Sequence, residues 1–282
     1  MSTAAPQPAA TRPPSPARPR EEIKLISHSN LFYWWPVWFV ALVMAAWTYV
    51  EGHRMAILPG GTSVVQTDGA YTVKVPPGQS TAALEYAVTR TDPVAQPSFR
   101  PRVSQNTVPG VLFMVTLLVT IFVTNVPLRG LWTFLSLALI VVLSLLLSLL
   151  KLWEAIFERV AALHIHINMA GYLFIGLGVL ALWAVAVFVF DRRTYIIFTP
   201  GQIRVCEHIG DSVQTFPTQG VSLEKLRDDI FRHYILGFGS GDLVVRTGGP
   251  DRREIRMPNV LGIGWQLREV ENVLASVKVG RD

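Results

Sequence analysis

Gly130–Leu150 reads GLWTFLSLALIVVLSLLLSLL, without a charge or a proline over 21 residues. A helix rises about 1.5 Å per residue, so the stretch is long enough to cross a hydrocarbon core of about 30 Å. Working outward, three more apolar runs appear: Leu31–Val50, Val108–Val126 and Ala170–Phe190. The pattern predicts a membrane α-helical protein with four transmembrane helices, at 31–50, 108–126, 130–150 and 170–190.

The chain has 282 residues, of which 50% are hydrophobic and 16% charged. A soluble domain carries about 25% charged residues, and the deficit here sits in the four runs. The net charge of +5 is spread thinly along the chain, so no segment has the positive field of a nucleic-acid binder. Cys206 is the one cysteine. It excludes an intrachain disulfide and reads as a small apolar residue on a strand.

Residues 1–30 read as a disordered tail, because its prolines, alanines and arginines supply no core. No cleavage site follows the first run, which predicts an uncleaved signal anchor. Phe32, Tyr33, Trp34, Trp35 and Trp38 crowd one end of that run, and Trp47 and Tyr49 the other, as an aromatic belt at each headgroup layer. Basic residues flanking the runs, among them Arg129, Arg192 and Arg193, slightly favour one side. They predict a multi-pass protein of the plasma (inner) membrane with both termini cytoplasmic.

Residues 51–107 form a β-rich extracytoplasmic loop domain, with a hairpin over Val64–Val75 turning at Asp68-Gly69. Residues 80–91 read as a third strand or a short helix. Pro127–Gly130 is too short to cross a bilayer, so the second and third spans form an antiparallel hairpin. Ser144 and Ser148 make a small-xxx-small step suited to close helix packing.

Residues 151–169 either extend the third span or lie along the interface as an amphipathic helix. Glu154, Glu158, His164 and His166 are the one dense set of chemistry-bearing side chains. His164 and His166 are the only weak metal candidates. Two residues apart on a helix they diverge and cannot hold one ion, although on a strand they could. The four runs themselves hold no Asp, Glu, Lys, Arg or His. Ion pathways and proton relays commonly need such groups inside the membrane.

Residues 194–282 read as short strands, among them TYIIFT, QIRVCEH and SVQTF, separated by Pro-Gly and Gly-Asp turns. Ile263, Leu267, Val270, Leu274 and Val277 then form one apolar helical stripe. The reading is an α+β domain, a small partly open barrel closed by a C-terminal helix.

The order TYIIFTPGQIRV, VSLEKL, ILGFGSGDLVVRT and REIRMPNV, followed by a final helix, resembles the bacterial PH-like (pleckstrin-homology-like) domain family found beside transmembrane helices. Ile235–Val245 carries most of the likeness, and Gly237, Gly239 and Gly241 match its structural glycine segment. The resemblance covers the last third of the chain. It implies a cytoplasmic PH-like barrel and no shared catalytic residues. A strand follows GFGSG, so these glycines are turn residues and not a phosphate loop.

These readings predict a non-enzymatic integral membrane protein without a cofactor. Its PH-like domain is a protein-interaction or assembly module, partnered by the bilayer and by a second copy or another membrane protein. Arg252, Arg253 and Arg256 alternate with Asp251 and Glu254, which argues against a specific phosphoinositide site. The alternatives are an accessory subunit of a channel or transporter, and an interface enzyme using the 154–166 segment.

Overall fold

The computed structural model describes residues 22–55, 58, 60–67, 69–78, 101–126, 130–206, 213–227, 229–248 and 252–279. Four helical segments are long and apolar enough to cross a membrane: Asn30–Glu51, Val108–Asn125, Leu131–Leu149 and Met169–Arg193. The first contains a 3₁₀ turn, Asn30–Trp34, and helix α1, Trp35–Glu51, with Pro36 in its first turn where a missing N–H costs little. Helices α2 (Val108–Asn125) and α3 (Leu131–Leu149) follow. The 127–129 connection and residues 80–91 lie outside the described residues.

The spans do not pack equally. Val37, Ala41, Met44 and Ala45 of α1 meet Phe113 of α2 and Tyr172 of helix α5, Met169–Val185. The small residues set the distance: a Cβ built on Gly176 would lie 3.1 Å from the Ala41 Cβ. Helix α3 buries only Thr133. At the Ser144/Ser148 step the described contact comes from the following helix, where Trp153 Nε1 donates to the Ser144 carbonyl at 3.3 Å.

Residues 151–169 do not continue α3. Lys151 adopts a left-handed backbone, φ 51°, and separates α3 from helix α4, Leu152–Ala162. The segment after α4 packs on α2 so tightly that a Cβ on Gly110 would overlap the Ile165 carbonyl. At this end of the bundle Met169 N–H donates to the Arg102 carbonyl at 2.9 Å, and Val103 N–H to the His53 carbonyl at 3.1 Å. The loop hairpin forms as predicted: β1 (Ile23–Ile26) precedes it in the chain, then β2 (Ser63–Thr67) pairs with β3 (Ala70–Lys74), with Thr67 opposite Ala70.

The remaining strands are β4 (Tyr195–Thr199), β5 (Gln202–Cys206), β6 (Val213–Pro217), β7 (Ser222–Leu226), β8 (Gly241–Arg246) and β9 (Glu254–Val260), before helix α6, Ile263–Val279. They form two antiparallel sheets, β1-β4-β5-β6 and β7-β8-β9. Neither sheet closes on itself, and the region expected as a small, partly open barrel is two open sheets packed with a helix. Ile196, Phe198, Ile203 and Val205 of the first sheet face Leu243, Val245 and Met257 of the second, and Ile263 and Val270 of α6 complete the core.

The tail prediction fails at its end. Ile23–Ile26 is a strand of this domain, paired antiparallel with β4 from Ile23–Phe198 to Ile26–Tyr195. Leu25 has no exposed surface and belongs to the same core. The sheet region thus takes its first strand from before the apolar helices and the rest from after them. A four-residue strand is marginal by itself. Here the open edge of β4 supplies the ladder, and a fully buried leucine contributes about 2 kcal/mol.

Candidate functional site

The densest polar constellation lies where the start of α1 meets the sheet region, and its centre is Tyr33. The side chain is fully buried. Its hydroxyl donates to Asn259 Oδ1 at 2.8 Å and lies 3.0 Å from Ser240 Oγ and 3.4 Å from His233 Nδ1. Tyr33 was expected as a belt residue at headgroup depth. It turns inward because an unpaired buried hydroxyl is costly and the sheet region offers three partners.

Each partner is placed by its local chain. Asn259 sits at the end of β9 with φ 57°, a conformation asparagine tolerates better than most residues. Its N–H donates to Asp242 Oδ1 at 3.0 Å, and its side-chain amide donates to the His28 carbonyl at 2.9 Å. His233 belongs to a wide helical turn, Phe231–Leu236, and just before it Asp229 Oδ1 accepts from Arg232 N–H at 3.0 Å. Arg232 then reaches Asp242 Oδ2 at 3.1 Å, a buried guanidinium held by a half-buried carboxylate.

The three glycines of the GFGSG segment have separate roles. Gly237 leaves space: a Cβ there would lie 2.7 Å from Tyr33 Cε1 and 2.7 Å from the Arg232 carbonyl oxygen, and would overlap Ser240 Oγ. Gly239 has φ +81°, and Gly241 begins β8 against Ile263. Arg227, just past the end of β7, faces this loop. It donates to the Gly239 carbonyl at 2.7 Å and caps this loop.

Ser240, His233 and Asp242 hold the residue types of a hydrolytic triad. Ser240 Oγ is 3.3 Å from His233 Nδ1, and His233 Nε2 is 3.8 Å from Asp242 Oδ1. Ser240 and His233 have no exposed surface. The three side chains join the Tyr33 hydroxyl in one cluster inside the fold.

A second feature adjoins the first. A cleft of about 350 Å³ opens between β1, the end of the fourth apolar segment and the start of α6, with Lys24, His28, Arg192 and Gln266 in its wall. His28 Nδ1–H donates to the Asn259 carbonyl, 3.2 Å away. Burial pushes its imidazole below the ordinary value of 6.5, against the opposing pull of Asp191. A larger cleft, about 800 Å³, lies between the Pro217–Val221 turn and α6, with Glu271 as its one charged wall residue.

The sequence-predicted metal candidates do not converge. His164 is exposed, and its Nδ1 contacts the Ala162 carbonyl at 2.8 Å; His166 Nδ1 contacts the His164 carbonyl at 3.0 Å. Glu154 and Glu158 lie exposed on α4. Among the described residues, no group of three or more His, Cys, Asp or Glu is arranged to hold a metal ion. Sequence reasoning did not single out His28, His233, Ser240, Asp242 or Asn259, and it placed Tyr33 in the aromatic belt. Their signal, isolated polar side chains next to apolar ones, becomes visible only when the two ends of the chain meet.

No protein-family model, curated protein or solved structure matches this chain.

Proposed function

We propose that the chain is a non-enzymatic, multi-pass membrane protein whose sheet region is a PH-like interaction or assembly module held rigidly against the bilayer. One observation carries this reading: β1 and β4, on either side of the apolar helices in sequence, pair in one sheet. Both strands must lie on the same face of the membrane, and only an even number of crossings between them allows that. Four spans satisfy it.

The cluster at Tyr33 supports the same reading. Trp35 Nε1 donates to the Leu236 carbonyl at 2.9 Å, and Ser27 Oγ to the Pro258 carbonyl at 2.8 Å. These bonds fix the orientation of the sheets on the bundle, as a docking platform requires. Seven antiparallel strands in two packed sheets with a closing C-terminal helix agree with the PH-like resemblance. Strands β6 and β7 end their sheets and offer edges to a partner. The positive flanks favour a cytoplasmic face of the plasma membrane for this region and the two termini.

The test is the mass of the full chain purified in mild detergent, with its co-purifying proteins. A defined oligomer or a stoichiometric membrane partner is the expected result; a bare monomer overturns the assembly reading. Ion flux through liposomes containing this chain alone would replace it with a transport role.

A further inference from the structure

We propose that the cleft between Lys24, His28, Arg192 and Gln266 binds the phosphodiester of a monoanionic glycerophospholipid, with the lipid's glycerol and upper acyl chain against Val187 and Phe188. The inference rests on the membrane reading and is independent of the assembly role.

The cleft stands where the apolar helix ends. Val187, Phe188 and Arg192 all belong to the last turns of the fourth apolar segment, Met169–Arg193. Phe188 is 53% exposed, which places an uncovered ring at the depth where headgroup gives way to hydrocarbon. The opposite wall is protein: Lys24 of β1 and Gln266 of α6.

Both cations are held without being neutralised. Lys24 Nζ stands 3.7 Å from the centre of the Tyr195 ring, and the Arg192 guanidinium 5.4 Å from the centre of the Phe188 ring. Aromatic faces orient a cation and leave its charge available. Among the described residues, no carboxylate forms an ion pair with either. Asp191 is buried and is not part of the cleft wall.

Gln266 supplies the third element. Its Oε1 is buried and has no hydrogen-bond partner among the described residues. Gln266 lines the cleft, and the NH₂ of its amide is the group able to donate to an anion there.

The chemistry fixes the class of ligand. The two cations can each face one of the two non-bridging oxygens of a phosphodiester, and the multiple charges of a phosphoinositide headgroup would need a denser basic cluster. A free anion would gain nothing from Val187 and Phe188, whereas a phospholipid covers them.

The test uses the full chain, purified in detergent and exchanged into nanodiscs containing either phosphatidylglycerol or phosphatidylcholine. Retained lipid is read by native mass spectrometry, and inorganic phosphate in detergent is a separate arm. Phosphatidylglycerol is expected to be retained in preference to phosphatidylcholine. The Lys24→Ala and Arg192→Ala variants should each weaken that retention by about fivefold, and the swap Lys24→Arg with Arg192→Lys should restore it. Gln266→Glu, which keeps the side-chain volume and adds a negative charge, should also weaken it. Equal retention of the two lipids, or retention unchanged in the alanine variants, overturns the site. Stabilisation by inorganic phosphate equal to that by phosphatidylglycerol overturns the lipid as its occupant. A monomer that still selects phosphatidylglycerol would refute the assembly reading alone.

Discussion

The Tyr33 hydroxyl donates to Asn259 Oδ1 at 2.8 Å, although 226 positions separate the two residues. The bond ties the first turn of the first apolar segment to the last strand of the sheet region. Both side chains are buried, so the bond is shielded from competing water, and removing one partner strands the other.

Tyr33→Phe keeps the ring and deletes the hydroxyl that three side chains approach. It is expected to destabilise the protein by about 1–3 kcal/mol. Thermal unfolding followed by labelling of Cys206, the single thiol, on β5, reads the change in the sheet region directly. Because Ser240 Oγ is 3.0 Å from the hydroxyl, Ser240→Ala and Tyr33→Phe should be non-additive by about 0.5–3 kcal/mol. Strict additivity would show that the two side chains do not share a network.

Leu25→Ala tests whether the strand before the helices belongs to the folded domain. Leu25 is fully buried in the core with Phe198 and Ile203. Truncation should cost about 2–5 kcal/mol, the range for a leucine removed from a packed core. The same substitution in an unstructured tail would leave the melting temperature unchanged, and that outcome would remove β1 from the sheet.

The contrast between Leu25 and the apolar runs explains what could be read from sequence. A span needs only a count of uncharged residues, so Leu131–Leu149 and Val108–Asn125 were legible to within a residue or so. The stripe Ile263, Leu267, Val270 and Leu274 was legible because helical spacing is local, and all four pack on the core. Ile23–Ile26 was not, since four residues after a proline-rich stretch carry little pattern of their own. Their partner is β4, beyond all four apolar helices. The Tyr33 junction was hidden for the same reason: its aromatic neighbours suit a membrane interface, and nothing local shows that one ring of the set has a hydrogen-bond acceptor waiting on β9. Clefts are further from view still, because Lys24, Arg192 and Gln266 lie on three separate elements.

Acid should loosen the junction through His28. Burial holds its folded-state value below 6.5, the ordinary value that the unfolded chain retains. The unfolded chain therefore binds a proton first, and stability present above about pH 6.5 declines as the pH falls toward the folded value. Glu254 acts in a lower window. Arg256 holds its carboxyl below 4.5, so its contribution is present above that value and is lost as pH falls through the folded one. Tryptophan fluorescence during thermal unfolding, measured between about pH 7.5 and about pH 5.5, isolates the histidine window. His28→Gln should flatten the decline there, and an unaltered slope would assign it to another group.

Gly237 and Gly239 separate two costs that sequence cannot distinguish. At Gly237 a methyl group meets the Arg232 carbonyl and the Tyr33 ring at 2.7 Å each and overlaps Ser240 Oγ. Two of those three neighbours are a backbone atom and a ring locked by its hydroxyl bonds, so they yield little. Gly237→Ala should cost about 1–3 kcal/mol, as overpacking does. At Gly239 nothing lies within 4 Å of the added carbon, and only φ +81° resists it. Gly239→Ala should cost about 1 kcal/mol through the backbone alone. The two penalties respond differently to a second change. Ser240→Ala removes the oxygen that the Gly237 methyl overlaps, so part of the Gly237→Ala penalty should disappear in that background. The Gly239→Ala penalty should persist in full. Cys206 labelling during thermal unfolding of the four variants measures both differences, and equal penalties for the two glycines in either background would refute the close approach of Tyr33 to the loop.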